Sequence, residues 1–125
     1  MMFLFLLISF KQLYLIQRIL IGHNMSLTKS ISADAATLTI HIKGKFDFNL
    51  VQSFRQAYAQ IDKSITKVII DLRETDYMDS SALGMLLNMQ KSIDTQVNKF
   101  EISNCQPQLK KILQISRFDK KFDIN

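Results

Sequence analysis

The 125-residue chain has no tryptophan, one cysteine, one proline and three glycines. A single cysteine, Cys105, cannot close an intrachain disulfide and is too few for the common zinc patterns. It has no histidine or aspartate beside it and stands between strand and helix signals, so it reads as a packed thiol in a reducing compartment. So few glycines and prolines leave little room for long loops. Aromatic–basic alternation, which marks base-stacking surfaces, is missing. The net charge of +5 is mild and the lysines are scattered, which speaks against a nucleic-acid binder. The densest basic group, Lys110, Lys111, Arg117, Lys120 and Lys121, reads as solvated surface. Neither a Walker-type phosphate loop nor a metal-ligand spacing occurs, so no cofactor and no metal are expected.

What is present is an apolar content of 47% with 22% charge, the balance of one globular domain. Residues 1–22, "MMFLFLLISFKQLYLIQRILIG", stand apart from the rest. The stretch is long enough to cross a bilayer, but Lys11, Gln12, Gln17 and Arg18 interrupt it. It has no basic start and no small-residue cleavage site, so it is not a secretory signal. The preferred reading starts translation at Met25 and treats residues 1–24 as an upstream extension; the second makes the extension a membrane-associating segment. Without residues 1–24 the chain loses Lys11 and Arg18, and 14 basic against 11 acidic residues leave +3.

From Met25 the periodicity changes repeatedly. "SLTKSISA" alternates weakly, with Leu27 and Ile31 on one face. Asp34-Ala35-Ala36 turns the chain, and "TLTIHIKGKF" alternates well, so a hairpin is expected. Asn49, with Gln52 three residues on, has the spacing of a capping box. Leu50, Phe54, Ala57, Tyr58 and Ile61 form one helical face, ended by Lys63-Ser64. "KVIIDL" reads as a central strand buried on both faces. A helix from about Ser81 to Ile93 comes next, then the strand "KFEIS". A helix opening at Gln106-Pro107 and a short edge strand in "KKFDI" complete the chain. The order β-β-α-β-α-β-α, with a last short β, predicts an α/β fold with a mixed sheet.

The three most polar residues of their region, Asp79, Ser80 and Ser81, sit between the central strand and the second helix. Binding sites collect at such strand ends. One serine has a plain structural use, as the helix cap. The helix turns its apolar side toward Ala82, Leu83, Leu86, Leu87, Met89 and Ile93. The opposite side carries Ser81, Gly84, Asn88, Lys91 and Ser92, with Met85 at the margin. Glycine weakens a helix by about 0.8–1.0 kcal/mol. Gly84 therefore implies close approach, by a second protein or by a loop of the same chain. A phosphate on Ser80 would meet a helix N-terminus and add about −1.5 to −2 charges beside Asp79, Asp76 and Glu74. A partner docked on the Gly84–Asn88 side would then be repelled.

"YMDSSALGMLL" resembles the signature of the bacterial anti-sigma factor antagonists, the STAS-domain proteins, written D-S-S-G-L-G before apolar residues. "GKFDFNLVQSF" resembles that family's G-x-L/F-D segment before the first helix, and "KVIIDLRETDYMDSSALG" its central strand, loop and second helix. "LKKILQISRFDKKFDI" is similar to its last helix and terminal strand. The likeness covers residues 25–125. It implies a single STAS domain with a mixed sheet of four to five strands and three to four helices. It implies a cytoplasmic regulator that is not an enzyme. In such proteins the unphosphorylated form binds an anti-sigma factor or a serine kinase of the histidine-kinase-like ATPase fold, which frees a client. Phosphorylation ends the binding, and a PP2C-type phosphatase restores it. Carried over, the phosphoacceptor is Ser80, Asp79 is the preceding acid, Ser81 the second serine and Asp47 the acid before the first helix. With the helix face, the partner-binding residues expected are Asp47, Asp79, Ser81, Gly84, Met85 and Asn88. Ala82 departs from the usual glycine, and a firmer helix start is expected.

A hydrolase would need a base and a nucleophile elbow, which Ser80 lacks. A closer rival is a STAS subunit of a membrane-associated assembly, in lipid transport or stress sensing, which retention of residues 1–22 would favour. A scaffold with an inert, capping Ser80 is the third possibility.

Overall fold

The computed structural model describes residues 26–125. The stretch 1–22 and the expected start at Met25 lie outside the described residues. The elements run in order as β1 (Leu27–Ile31), β2 (Thr37–Phe46), α1 (Val51–Ala59), β3 (Lys67–Met78), α2 (Ser80–Ile93), β4 (Lys99–Ser103), α3 (Pro107–Ile115) and β5 (Asp123–Ile124). Short 3-10 turns occupy Phe48–Leu50 and Phe118–Lys120.

β1 and β2 form the antiparallel hairpin that alternation predicts, with Leu27 opposite Ile42 and Ile31 opposite Leu38. Asp34 shapes its turn by accepting from the Ser32 hydroxyl and the Ala36 N–H. The remaining neighbours are parallel, and the strand order in the sheet is β1-β2-β3-β4-β5. Three parallel crossovers of the same right-handed sense put α1, α2 and α3 on one face. The burial pattern agrees. Ile40, Ile42, Val68, Ile70, Leu72 and Ile102 are buried from the sheet, and Phe54, Leu86, Met89, Leu109 and Leu113 from the helices. Fully burying a side chain of this size contributes about 1.5–3 kcal/mol.

Four expectations are corrected. β3 is not buried on both faces: Val68 and Ile70 are buried, but Ile69 and Asp71 are half-exposed on a side that no described helix covers. β3 also does not stop at Leu72; it continues to Met78, so there is no loop before α2. Ile31 is exposed and does not join Leu27 at the core. α1 ends at Ala59, short of Lys63, and Asn49 is not its cap.

The long β3 depends on irregular pairing. β2 is shifted against it between His41 and Lys43 and again between Gly44 and Lys45. Gly44 takes φ +79 there, a conformation that suits glycine. Thr75 is the buried polar side chain at this place, and its hydroxyl donates to the Ile42 carbonyl at 2.7 Å. That bond satisfies a donor and an acceptor that would otherwise be buried unpaired. Such bulges bend and twist a pair of strands, and here they aim the end of β3 into α2.

Candidate functional site

Phe46 and Met78 are paired at the ends of β2 and β3. The residue that follows each strand is an aspartate. Asp47 and Asp79 therefore emerge side by side at the carboxyl edge of the sheet. Both have extended backbones, and each caps the helical turn after it. The Asp47 carboxylate accepts from the Asn49 N–H at 3.0 Å. The Asp79 carboxylate accepts from the Ser81 N–H at 2.9 Å and from the Ala82 N–H at 3.4 Å.

This overturns the capping roles given to Asn49 and to a serine. A short carboxylate just outside a helix reaches the first free N–H groups better than a residue already inside it. α2 starts at Ser80, and its first turn holds two serines that the cap does not need. The exposed one is Ser80; Ser81 is half-buried. The same bonds revise the electrostatics expected for a phosphate on Ser80. Two N–H groups at this helix end already face Asp79, so a phosphate would lie against a carboxylate and compete for its donors. Asp79→Ala should lower the unfolding free energy by about 0.5–2 kcal/mol. Urea melts of the variant check this, and an unchanged midpoint would mean that the cap is not formed.

Below the serines, α1 and α2 enclose a groove of about 240 Å³ lined by Phe48, Val51, Phe54, Arg55, Tyr58, Ser81, Gly84, Met85 and Asn88. Four of the six expected partner-contact residues, Ser81, Gly84, Met85 and Asn88, meet in it. Met85 is a correction: it is only 7% exposed, so it forms floor where a margin was expected. A long, flexible side chain on the boundary of a helix face folds inward when a neighbouring helix offers apolar surface. Gly84 and Asn88 are exposed. A Cβ built on Gly84 would meet nothing within 4 Å. Among the described residues, then, no loop of this chain needs the missing side chain. Phe48, which the sequence reading did not single out, stands at the rim 66% exposed. Its signal was available as an aromatic directly after the capping Asp47.

A second polar cluster lies on the uncovered face of the sheet. His41 Nδ1 is 3.0 Å from Asp71 Oδ2, and the Ser30 hydroxyl is 3.3 Å from His41 Nε2. Burial alone would raise the Asp71 carboxyl, but hydrogen bonds from Asn104, the Arg73 N–H and His41 together hold it below its ordinary value. The order serine–histidine–aspartate is that of a hydrolytic triad. Ser30, however, stands on a flat edge strand, with no sharp turn to gather N–H groups around an oxyanion. The cluster fastens β1 to β2 and β3. His41, expected to face solvent, is half-exposed and engaged at both ring nitrogens. Cys105 is half-buried, and burial pushes its thiol upward, against reactivity as a thiolate.

Comparison with known proteins agrees with this geometry. The family profile described as STAS domain matches residues 28–125. A STAS-domain containing protein of Pseudomonas aeruginosa (strain UCBPP-PA14) is 42% identical over 101 residues, covering 81% of this chain and all of that protein. An anti-sigma F factor antagonist of Lysinibacillus sphaericus is 26% identical over 82 residues, 64% of this chain and 70% of that protein. The solved structure of the anti-sigma factor antagonist SpoIIAA in its unphosphorylated form is similar in fold, with a TM-score of 0.57 at 22% identity over 70% of this chain and 81% of that one.

Proposed function

Because the chain belongs to the STAS-domain family, we propose that it is an anti-sigma factor antagonist switched by phosphorylation of Ser80. The unphosphorylated form binds an anti-sigma factor or a serine kinase of the histidine-kinase-like ATPase fold and so releases that protein's client. A PP2C-type phosphatase resets the switch. The protein works in the cytoplasm through residues 25–125.

The observation that carries this reading is the exposed Ser80 beside the α1–α2 groove. Asp79 already caps α2, so Ser80 is spare for the fold. A phosphate there adds about −1.5 to −2 charges next to Asp79 and close in sequence to Asp76 and Glu74. A partner seated over Gly84 and Asn88 would have to accept that charge at its edge. Repulsion and desolvation suffice to eject it, with no change in fold.

The test is a pull-down from native cells with three baits: the unmodified chain, Ser80→Ala and Ser80→Asp. An anti-sigma-like or kinase-like protein should be kept by the alanine variant and depleted at least tenfold, roughly 1.4 kcal/mol, by the aspartate variant. Equal capture by both would leave Ser80 without a switching role.

A further inference from the structure

Arg55 lies between Val51 and Tyr58 on the stripe of α1 that lines the groove, and it is the one charged residue in that lining. α1 and α2 hold no aspartate or glutamate; their other charge is Lys91. Lys91 is exposed and follows Asn88 by three residues, so it extends the same side of α2. The ion pairs among the described residues are His41–Asp71 and Lys67–Glu101, and neither uses these cations. Asp47 and Asp79, above the groove, direct their carboxylates to helix N–H groups.

The neighbours of Arg55 give a second observation. Phe48, Tyr58 and Met85 line the same groove. Arginine, aromatics and methionine are enriched at protein interfaces, while lysine and the acids are depleted there. Tyrosine and arginine are also the residues whose truncation most often costs binding.

A segment docked over Gly84 takes water from the Arg55 guanidinium. That group cannot give up its proton. Left unpaired under a partner it would be strongly unfavourable, and a carboxylate fits its planar fork with paired hydrogen bonds. We infer, resting on the partner-switch reading, that the protein segment seated in the groove sets an aspartate or glutamate against Arg55 and an apolar side chain against Phe48 and Met85. The same carboxylate gives the switch its direction. A phosphate on Ser80 adds negative charge beside an occupant that is itself negative. A basic occupant would be drawn in by it instead.

The test is photo-crosslinking of the full chain in native cells, with Gln52 replaced by benzoylphenylalanine. Gln52 is exposed on α1, one turn before Arg55, and does not line the groove. The crosslinked segment is sequenced by mass spectrometry. It should contain an acid whose replacement by arginine abolishes the crosslink with the unmodified chain and restores it with Arg55→Glu. Arg55→Gln should lower the yield by at least about tenfold, and Arg55→Lys, which keeps the charge without the fork, should fall between. Arg55 is exposed, so these variants should melt with the unmodified chain, which separates lost docking from lost folding. No crosslink from the unmodified chain overturns the inference. So does a crosslinked segment without an acid, or Arg55 variants that crosslink in full. Ser80→Asp tells the two readings apart. A crosslink that survives Ser80→Asp but not Arg55→Glu supports the acidic contact and removes the phosphate switch. One lost with Ser80→Asp but kept with Arg55→Glu overturns the contact and leaves the switch.

Discussion

Gly84→Ala should melt higher than the unmodified chain, and Gly84→Leu should fold yet lose its partner. Glycine inside a helix is worth about 0.8–1.0 kcal/mol less than alanine. For a domain of this size that is about 4–8 °C in melting temperature. Nothing within 4 Å opposes the added Cβ, so the gain should appear in full. Leucine is also a good helix former. Its longer side chain, however, extends from an exposed position into a groove of only about 240 Å³. Affinity for the captured partner should fall by at least tenfold, about 1.4 kcal/mol, in titration calorimetry. A leucine variant that binds normally would show that the partner sits elsewhere. The pair of substitutions separates two effects that most surface mutations mix: the fold improves while the docking site closes.

The largest stability loss is expected at Phe54. It is 1% exposed, and its ring lies 5.5 Å from Phe46 and 5.7 Å from Tyr58. It joins the end of β2 to α1 and also forms groove floor. Phe54→Ala removes the ring and leaves a cavity, for about 3–5 kcal/mol. Domains of this kind hold about 5–15 kcal/mol in all, so the variant should be visibly marginal in urea denaturation. A loss below about 1 kcal/mol would mean that α1 is not seated on the sheet as described. Lost partner binding in this variant says nothing about the site, because the groove depends on the same ring.

The alternation in "TLTIHIKGKF", the spacing of Leu50, Phe54, Ala57 and Tyr58, and Pro107 in the first turn of α3 each named the right element. Local pattern suffices where each residue repeats the same environment. It failed where one residue had two plausible roles. "KVIIDL" looks buried on both faces because Ile69 interrupts the alternation, and only the tertiary arrangement tells that its side is half-open. Asn49 and the serines have the chemistry of caps, but Asp47 and Asp79 stand just outside the helical turns and take the bonds. The groove was half legible. The α2 side comes from helical spacing, apart from the inward turn of Met85. The α1 side, with Phe48, Arg55 and Tyr58, requires knowing that α1 and α2 are neighbours. The His41–Asp71 contact joins residues 30 apart in sequence, which no local pattern contains.

The strand order of the sheet is also the order of the chain. Each new strand is added beside the one just made, and none has to be inserted between two that already exist. Loop closure therefore stays short at every step, and its entropy grows slowly with loop length. The domain can be laid down progressively from its amino end as the chain leaves the ribosome. The apolar side of β2 and β3 is covered by α1 and α2 before β4 arrives. By Ile93 both walls of the groove have been synthesised, and the remaining residues complete an edge away from it.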